Sequence, residues 1–240
     1  MRLLPNVALT PEQLVLLSEN KPGILLIKGA AGSGKTTTAL MRLRQLCALW
    51  LARKRRLDLP GPVRVLVLTY NTTLEGYIEA LAADQIDASA DLHLEVASFA
   101  KFARDLAIDG LTLEPESCAA LLRGLCRGFS DLDVDFVVDE ADYLLSRFRP
   151  EDLEDYVTVL RSGRGIAPRM EAATRRRLLD QVIYPYIESK KNIGWSDWND
   201  LAVAAYAATG EPWDVVVIDE TQDFSANQIR TVMNHLADEA

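Results

Sequence analysis

The stretch Gly29-Ala30-Ala31-Gly32-Ser33-Gly34-Lys35-Thr36 fits the pattern G-x-x-x-x-G-K-[ST], in which each fixed letter answers a physical need. Glycines at 29, 32 and 34 let the backbone wrap so that amide N–H groups converge on phosphate oxygens, and a helix starting behind them presents its positive end to the same anions. Lys35 is placed to reach the β and γ phosphates of a triphosphate. The Thr36 hydroxyl is placed to coordinate Mg2+, which takes oxygen ligands and keeps several waters and phosphate oxygens around it. With Ala31, Ser33 and Thr37, these residues form the candidate phosphate-binding set.

A loop of this kind needs an acidic partner: an apolar strand ending in an aspartate for the metal, with a second carboxylate to activate water. Two stretches compete, Phe136-Val137-Val138-Asp139-Glu140 and Val215-Val216-Val217-Ile218-Asp219-Glu220. The second has the longer β-branched run and continues as Thr221-Gln222-Asp223, adding an amide and a third carboxylate. It makes Asp219 the expected Mg2+ ligand and Glu220 the expected base, with Gln222 beside them as a further catalytic candidate. In the first stretch, Asp139 and Glu140 are expected to decorate a helix leading to Tyr143, Leu144 and Leu145. Exchanging the two assignments would also undo the domain organisation set out next.

The elements that must carry these residues alternate along the chain. A short helix over 10–20 precedes the apolar run Ile24 to Ile27, expected as a buried strand, and the glycine-rich turn follows at once. Leu40, Leu43, Leu46, Cys47 and Trp50 recur at helical spacing, so a helix is expected from Thr36 to about Lys54. Strands are expected at Val63 to Leu68, Leu92 to Val96 and Val215 to Ile218, with helices over 73–83, 99–108 and 198–208 and a last one from about Ala226. Apolar strands alternating with helices predict an α/β fold, a parallel sheet with helices on both faces. Between Asp109 and Gly194 the pattern turns wholly helical. The predicted organisation is therefore 1–108 as the first part of the α/β domain, 109–194 as a helical insertion and 195–240 as its second part.

Composition is that of a globular protein, with 49% hydrophobic and 25% charged residues, which excludes disorder as the default. A net charge of −9 argues against an obligate nucleic-acid coat, whose affinity would come from Lys and Arg displacing counterions. Basic residues nonetheless cluster at Arg42 to Arg56 and Arg161 to Arg177, either as local positive faces or as ordinary solvated helix surface. Cys47, Cys118 and Cys126 lack C-x-x-C spacing and sit in leucine-rich helical patterns, which predicts buried thiols. No apolar run reaches spanning length and the first ten residues are too short for a secretory core, so the expectation is a cytoplasmic protein without membrane contact.

Gly29 to Thr36, followed much later by Asp219-Glu220-Thr221-Gln222-Asp223, resembles the Walker A and D-E-x-Q-D motifs of UvrD/Rep-type superfamily 1 helicases, the glutamine being the discriminating letter. Further stretches fall in the family's order. Leu9-Thr10-Pro11-Glu12-Gln13 is similar to the Q motif, whose glutamine reads adenine, although Thr10 with Gln13 also forms a T-x-x-Q capping box with Pro11 at the first helical position. Val67-Leu68-Thr69-Tyr70-Asn71 resembles motif Ia, and Ala97-Ser98-Phe99 resembles motif Ib, with Ser and Ala replacing its Thr and His. This implies Thr69, Tyr70, Asn71, Ser98 and Phe99 as contacts to single-stranded nucleic acid, hydroxyls and amides on phosphates and aromatic faces on bases. Tyr70 and Phe99 could equally be core. Asp197-Trp198-Asn199-Asp200-Leu201 resembles the D-F-x-D-L segment that closes the family's 1B insertion, and Arg161-Ser162-Gly163-Arg164-Gly165 an R-x-G-R loop of some members.

The resemblance implies a P-loop NTPase (RecA-like) domain 1A with a 1B-like insertion, using ATP and Mg2+ to move on or unwind nucleic acid, single-stranded DNA being the expected track. The chain stops about twenty residues past Asp219-Glu220, ahead of the family's second RecA-like domain with its arginine fingers. An arginine finger is worth roughly 10³ to 10⁵ in rate. The expectation is thus a part of a larger protein that by itself binds ATP-Mg and turns it over feebly. Two other readings stay open. A nucleotide-gated binding module without helicase activity would share every motif. A P-loop small-molecule kinase would share the glycine-rich turn, but D-E-x-Q-D is not expected there.

Overall fold

In the computed structural model, which describes residues 10–18, 23–30, 32–69, 91–107, 110–160 and 169–237, the chain divides into two compact units. The first comprises Met1–Phe102, Gly210–Asp223 and His235–Ala240 and carries a three-stranded parallel sheet. Its strands are β1 (Val63–Thr69), β2 (Leu92–Ser98) and β3 (Val215–Ile218), in the order β2-β1-β3. All of β1 but Arg64 is buried, as a central parallel strand covered on both faces requires. Register is continuous, Val63 opposite Leu92 through Thr69 opposite Ser98, and Val65 opposite Val215 through Leu68 opposite Ile218.

Helix α1 (Pro11–Ser18) precedes the glycine-rich turn, α2 (Lys35–Leu57) follows it, and α3 (Phe99–Leu106) follows β2. Leu40, Leu43 and Cys47 of α2 pack on Val63, Val65, Val67, Val96 and Val215, forming the core that seats α2 on the sheet. Each such aliphatic side chain contributes about 1.5–3 kcal/mol by leaving water. At its far end α2 stops at Asp58 in the left-handed region, with Lys54, Arg55 and Arg56 in the last turn, where cations favour the negative helix end.

One expected element is absent. Residues 24–30 are irregular, with Ile24, Leu25 and Leu26 exposed rather than buried in a strand. An apolar run states a preference for burial but cannot name the neighbour that will pair with it. Both edges of β1 are taken by β2 and β3, and the outer edge of β3's approach is met at Trp213 by a parallel bridge from Leu236. The helix expected over 73–83 lies outside the described residues.

The second unit, Ala103–Thr209 with Phe224–Asn234, is helical among its described residues. It contains α4 (Pro115–Cys126), α5 (Val134–Arg147), a 3-10 helix (Pro150–Val157), α6 (Ala172–Leu178), α7 (Tyr184–Ile193), α8 (Trp198–Ala207) and α9 (Ala226–Asn234). A π turn, Leu179–Ile183, joins α6 to α7 and leads into Pro185 without ending the helix. Cys118, Leu122, Phe129, Leu144, Tyr156, Leu178, Ile183 and Tyr186 lie in a continuous core. The boundary drawn at 195 from the motif differs from the packing, which places α8 and α9 in this unit. Small Ala202 and Ala205 on α8 let α9 approach closely enough for the Thr231 hydroxyl to donate to the Ala202 carbonyl at 2.7 Å. Asn227 of α9 donates to the Leu145 and Phe148 carbonyls.

Asp139 and Glu140 lie on α5, as the periodicity predicts. Asp139 is exposed, but Glu140 is fully buried, its Oε1 accepting from the Tyr156 hydroxyl at 2.6 Å. No helix among the described residues is long and apolar enough to cross a membrane.

Candidate functional site

Parallel strands bring their carboxyl ends to one edge, the place where ligands of open α/β sheets bind. Register puts Thr69 beside Ser98 there, and the Asp219 amide extends the ladder by donating to the Leu68 carbonyl at 2.9 Å. Asp219 is therefore positioned by the sheet itself.

The glycine-rich turn is shaped by two left-handed residues, Gly32 (φ 74°) and Gly34 (φ 79°), where a side chain would be strained. The Ser33 amide closes a turn onto the Ala30 carbonyl at 3.2 Å. Gly34 ends the turn as the N-cap of α2, with no side-chain cap, so the first N–H groups of α2 have no partner within the helix. The Lys35 ammonium folds back to donate to the carbonyls of Gly29 and Ala30, both at 3.1 Å. Thr37 continues the first turn of α2, half-buried.

At the start of this helix the Thr36 hydroxyl donates to the Asp219 carboxylate, 3.1 Å from Oδ1 and 3.3 Å from Oδ2, across 183 positions of sequence. A hydroxyl and a carboxylate oxygen converging in this way form a hard donor pair suited to Mg2+, which commonly takes one or two protein oxygens and completes its shell with phosphates and water. Among the described residues no group of three or more His, Cys, Asp and Glu gathers into a self-sufficient metal cage. The next residue, Glu220, is left-handed at φ 49°, an uncommon state for a non-glycine residue. Its Oε2 accepts from Gln222 Nε2 at 2.5 Å, and its carbonyl accepts from the Asp223 amide. Glycine-rich turn, hydroxyl, the Asp219 carboxylate and the Glu220 carboxylate thus belong to one unit.

Gln13 forms the capping box: its Oε1 accepts from the Thr10 amide at 2.9 Å, while the Thr10 hydroxyl accepts from the Gln13 amide at 3.3 Å. Its Nε2 also donates to the Ser33 carbonyl at 3.3 Å, a link the motif did not announce.

The nucleic-acid set fares differently. Phe99 is in the core, its ring edge-on to Phe102 at 6.2 Å, so it offers no face to a base. Thr69 and Ser98 are also buried, and the Ser98 hydroxyl oxygen accepts from the Lys101 amide as a helix cap. A hydroxyl before a helix satisfies its orphan N–H groups, which is the physical reason for this letter. Ala31, Tyr70, Asn71 and the Arg161 to Gly165 loop lie outside the described residues.

Several residues of the basic clusters serve the protein itself. Arg42 is buried and donates to the Leu17 carbonyl, Lys54 pairs with Asp214 at 3.2 Å, and Arg55 with Asp91 at 2.9 Å. In the helical unit Arg176 grips Glu154 through two nitrogens, Arg177 pairs with Asp131, and Arg175 donates to the carbonyls of Met170, Tyr156 and Val159. Charge runs in sequence do not reveal partners this far away.

A second feature escaped the sequence reading. Lys190 is buried in the helical unit and contacts Asp197 at 2.6 Å and Asp200 at 2.5 Å, while the Tyr186 hydroxyl donates to Asp197 at 2.6 Å. Burial pushes Asp197 up, but Lys190 and the surrounding donors hold it below the ordinary carboxylate value. Burial and the neighbouring Asp197 charge push Asp200 up. The signal available was D-x-x-D at Asp197 and Asp200, which forms the capping box of α8. All three cysteines are buried; burial raises the Cys47 and Cys126 thiols to about 11.

No protein-family model matches the chain, and no curated protein matches it.

Proposed function

We propose that the chain is the nucleotide-binding part of an ATP-driven motor similar to the UvrD/Rep-type superfamily 1 helicases, a RecA-like domain carrying a helical insertion. The observation that carries this reading is the Thr36–Asp219 contact, joining the glycine-rich turn to the end of β3. In the reaction, water attacks the γ phosphorus and the bond to the β–γ bridging oxygen breaks, giving ADP and phosphate. Backbone N–H groups of Gly32 and of Gly34 to Thr37 and the Lys35 ammonium bind the phosphate oxygens, Lys35 leaving the Gly29 and Ala30 carbonyls to do so. Thr36 and Asp219 would hold Mg2+, which would supply charge neutralisation for the triphosphate. Glu220 orients the water and accepts its proton, with Gln222 beside it.

Calorimetric titration of the chain with MgATP tests this reading. Wild type binds, and Lys35→Ala weakens binding at least tenfold. Failure of wild type to bind, or binding indifferent to Lys35→Ala, would falsify it.

The track, single-stranded DNA, rests on the family resemblance, through the stretches similar to motifs Ia and Ib. The engagement of Arg42, Arg175, Arg176 and Arg177 with the protein's own carbonyls and carboxylates favours a second reading, a nucleotide-gated binding module without helicase activity. ATP hydrolysis stimulated by single-stranded DNA, measured in a protein that also carries a second RecA-like domain, separates the two. Stimulation supports the motor; its absence supports the module.

A further inference from the structure

Helix α1 has no buried residue, and Leu14 and Val15 face solvent, so apolar packing does little to hold it in place. Two polar struts tie it down instead. Arg42 of α2 reaches the Leu17 carbonyl at 2.9 Å, and Gln13 reaches the Ser33 carbonyl at 3.3 Å. Ser33 lies between the left-handed residues Gly32 and Gly34, the two most permissive backbone positions of the turn. Gln13 thus contacts the turn where the backbone is easiest to distort.

We infer that Gln13 is a positioning residue for the phosphate-binding turn: it braces the Ser33 carbonyl from α1, so affinity for the triphosphate itself depends on Gln13 whatever base the nucleotide carries. The inference rests on the nucleotide-binding reading above. Three features equip the side chain for the task. Its carboxamide is oriented by the Thr10 capping box, so part of its rotamer entropy is already lost before it meets the turn. Gly34 leaves room for it, since a Cβ there would stand 3.0 Å from Gln13 Nε2. Each carboxamide atom also keeps hydrogen-bonding capacity beyond the bond it makes, so a brace on the turn and a contact to a base can coexist.

Inorganic tripolyphosphate, which has no base, distinguishes bracing from base reading. Calorimetric titration of the whole chain with Mg-tripolyphosphate and with MgATP is compared for wild type, Gln13→Met and Thr10→Val. Methionine keeps the reach of glutamine without its donor and adds no charge, and α1 buries nothing whose loss would unfold the domain. Gln13→Met is expected to weaken both ligands by a similar factor, about three- to tenfold, the range of one net hydrogen bond. Thr10→Val, which removes only the cap hydroxyl, is expected to leave tripolyphosphate affinity within about twofold. A Gln13→Met protein that loses ATP but keeps tripolyphosphate reads the base alone, and the brace is overturned. Unchanged affinity for both ligands overturns it too, as does a Thr10→Val loss equal to that of Gln13→Met, which would assign the effect to helix capping. If wild type binds neither ligand, the nucleotide-binding reading fails first and the brace with it.

Discussion

The Thr36 hydroxyl stands 3.1 Å from Asp219 Oδ1, although 183 positions separate the two residues. Each is carried there by a different element, Thr36 by the first turn of α2 and Asp219 by β3, which it directly follows, and the sheet core beneath α2 sets the distance. The contact therefore depends on packing that involves Leu43 and Val65 as much as on the two polar groups themselves.

Asp219→Asn keeps the shape of the side chain and removes its charge. On the proposed function, MgATP affinity is expected to fall at least tenfold, while binding of ATP in excess chelator changes little, because the carboxylate would be needed for the cation. Equal losses with and without Mg2+ would show that Asp219 only supports the turn.

Gly34→Ala places a Cβ at φ 79° and 3.0 Å from Gln13 Nε2. The left-handed backbone costs about 1–2 kcal/mol for a residue with a Cβ. Urea unfolding should show a loss of this order together with weakened nucleotide binding. A variant as stable as wild type would mean that the turn relaxes freely.

Phe99→Ala distinguishes a core side chain from a base-stacking one. Truncating a buried phenylalanine costs about 3–5 kcal/mol, so a marked fall in unfolding free energy is expected. A stability change near zero accompanied by loss of single-stranded DNA affinity would restore the stacking role.

Lys190→Met leaves the buried Asp197 without its cation. Removing one partner of such a pair costs about 3–5 kcal/mol, which chemical denaturation would register. The double variant Lys190→Met with Asp197→Asn should recover part of that loss, since one of the two carboxylates left without their cation has gone; no recovery would mean that Lys190 acts through packing alone.

Glu154 supplies a pH signature. Hydrogen bonds from Arg176 and then Tyr184 hold its carboxyl down at about 2, against an ordinary value of about 4.5. A depressed carboxyl stabilises the fold above its unfolded value and loses that contribution as pH falls through the folded one. The difference in melting temperature between wild type and Glu154→Gln should thus be constant above about pH 5 and shrink towards pH 2. A difference independent of pH would assign the effect to shape.

Features local in the chain could be read directly from the order of residues. Helical spacing of Leu40, Leu43 and Cys47, the β-branched run of Val215 to Ile218, and the Thr10 and Asp197 capping boxes follow from side-chain period and short-range hydrogen bonding, which neighbours a few residues apart decide. The glycine-rich turn and the helix behind it were legible for the same reason, because their signals are adjacent letters. Which groups meet across long separations was fixed by folding. It joined Thr36 to Asp219, placed Phe99 in the core, buried Arg42, paired Arg176 and Arg177 with Glu154 and Asp131 at the surface, buried Lys190 against two aspartates and left Ile24 to Leu26 outside the sheet. An apolar or charged side chain specifies the environment it prefers but not its partner; the partner is settled when the whole chain distributes a limited set of buried surfaces and strand edges.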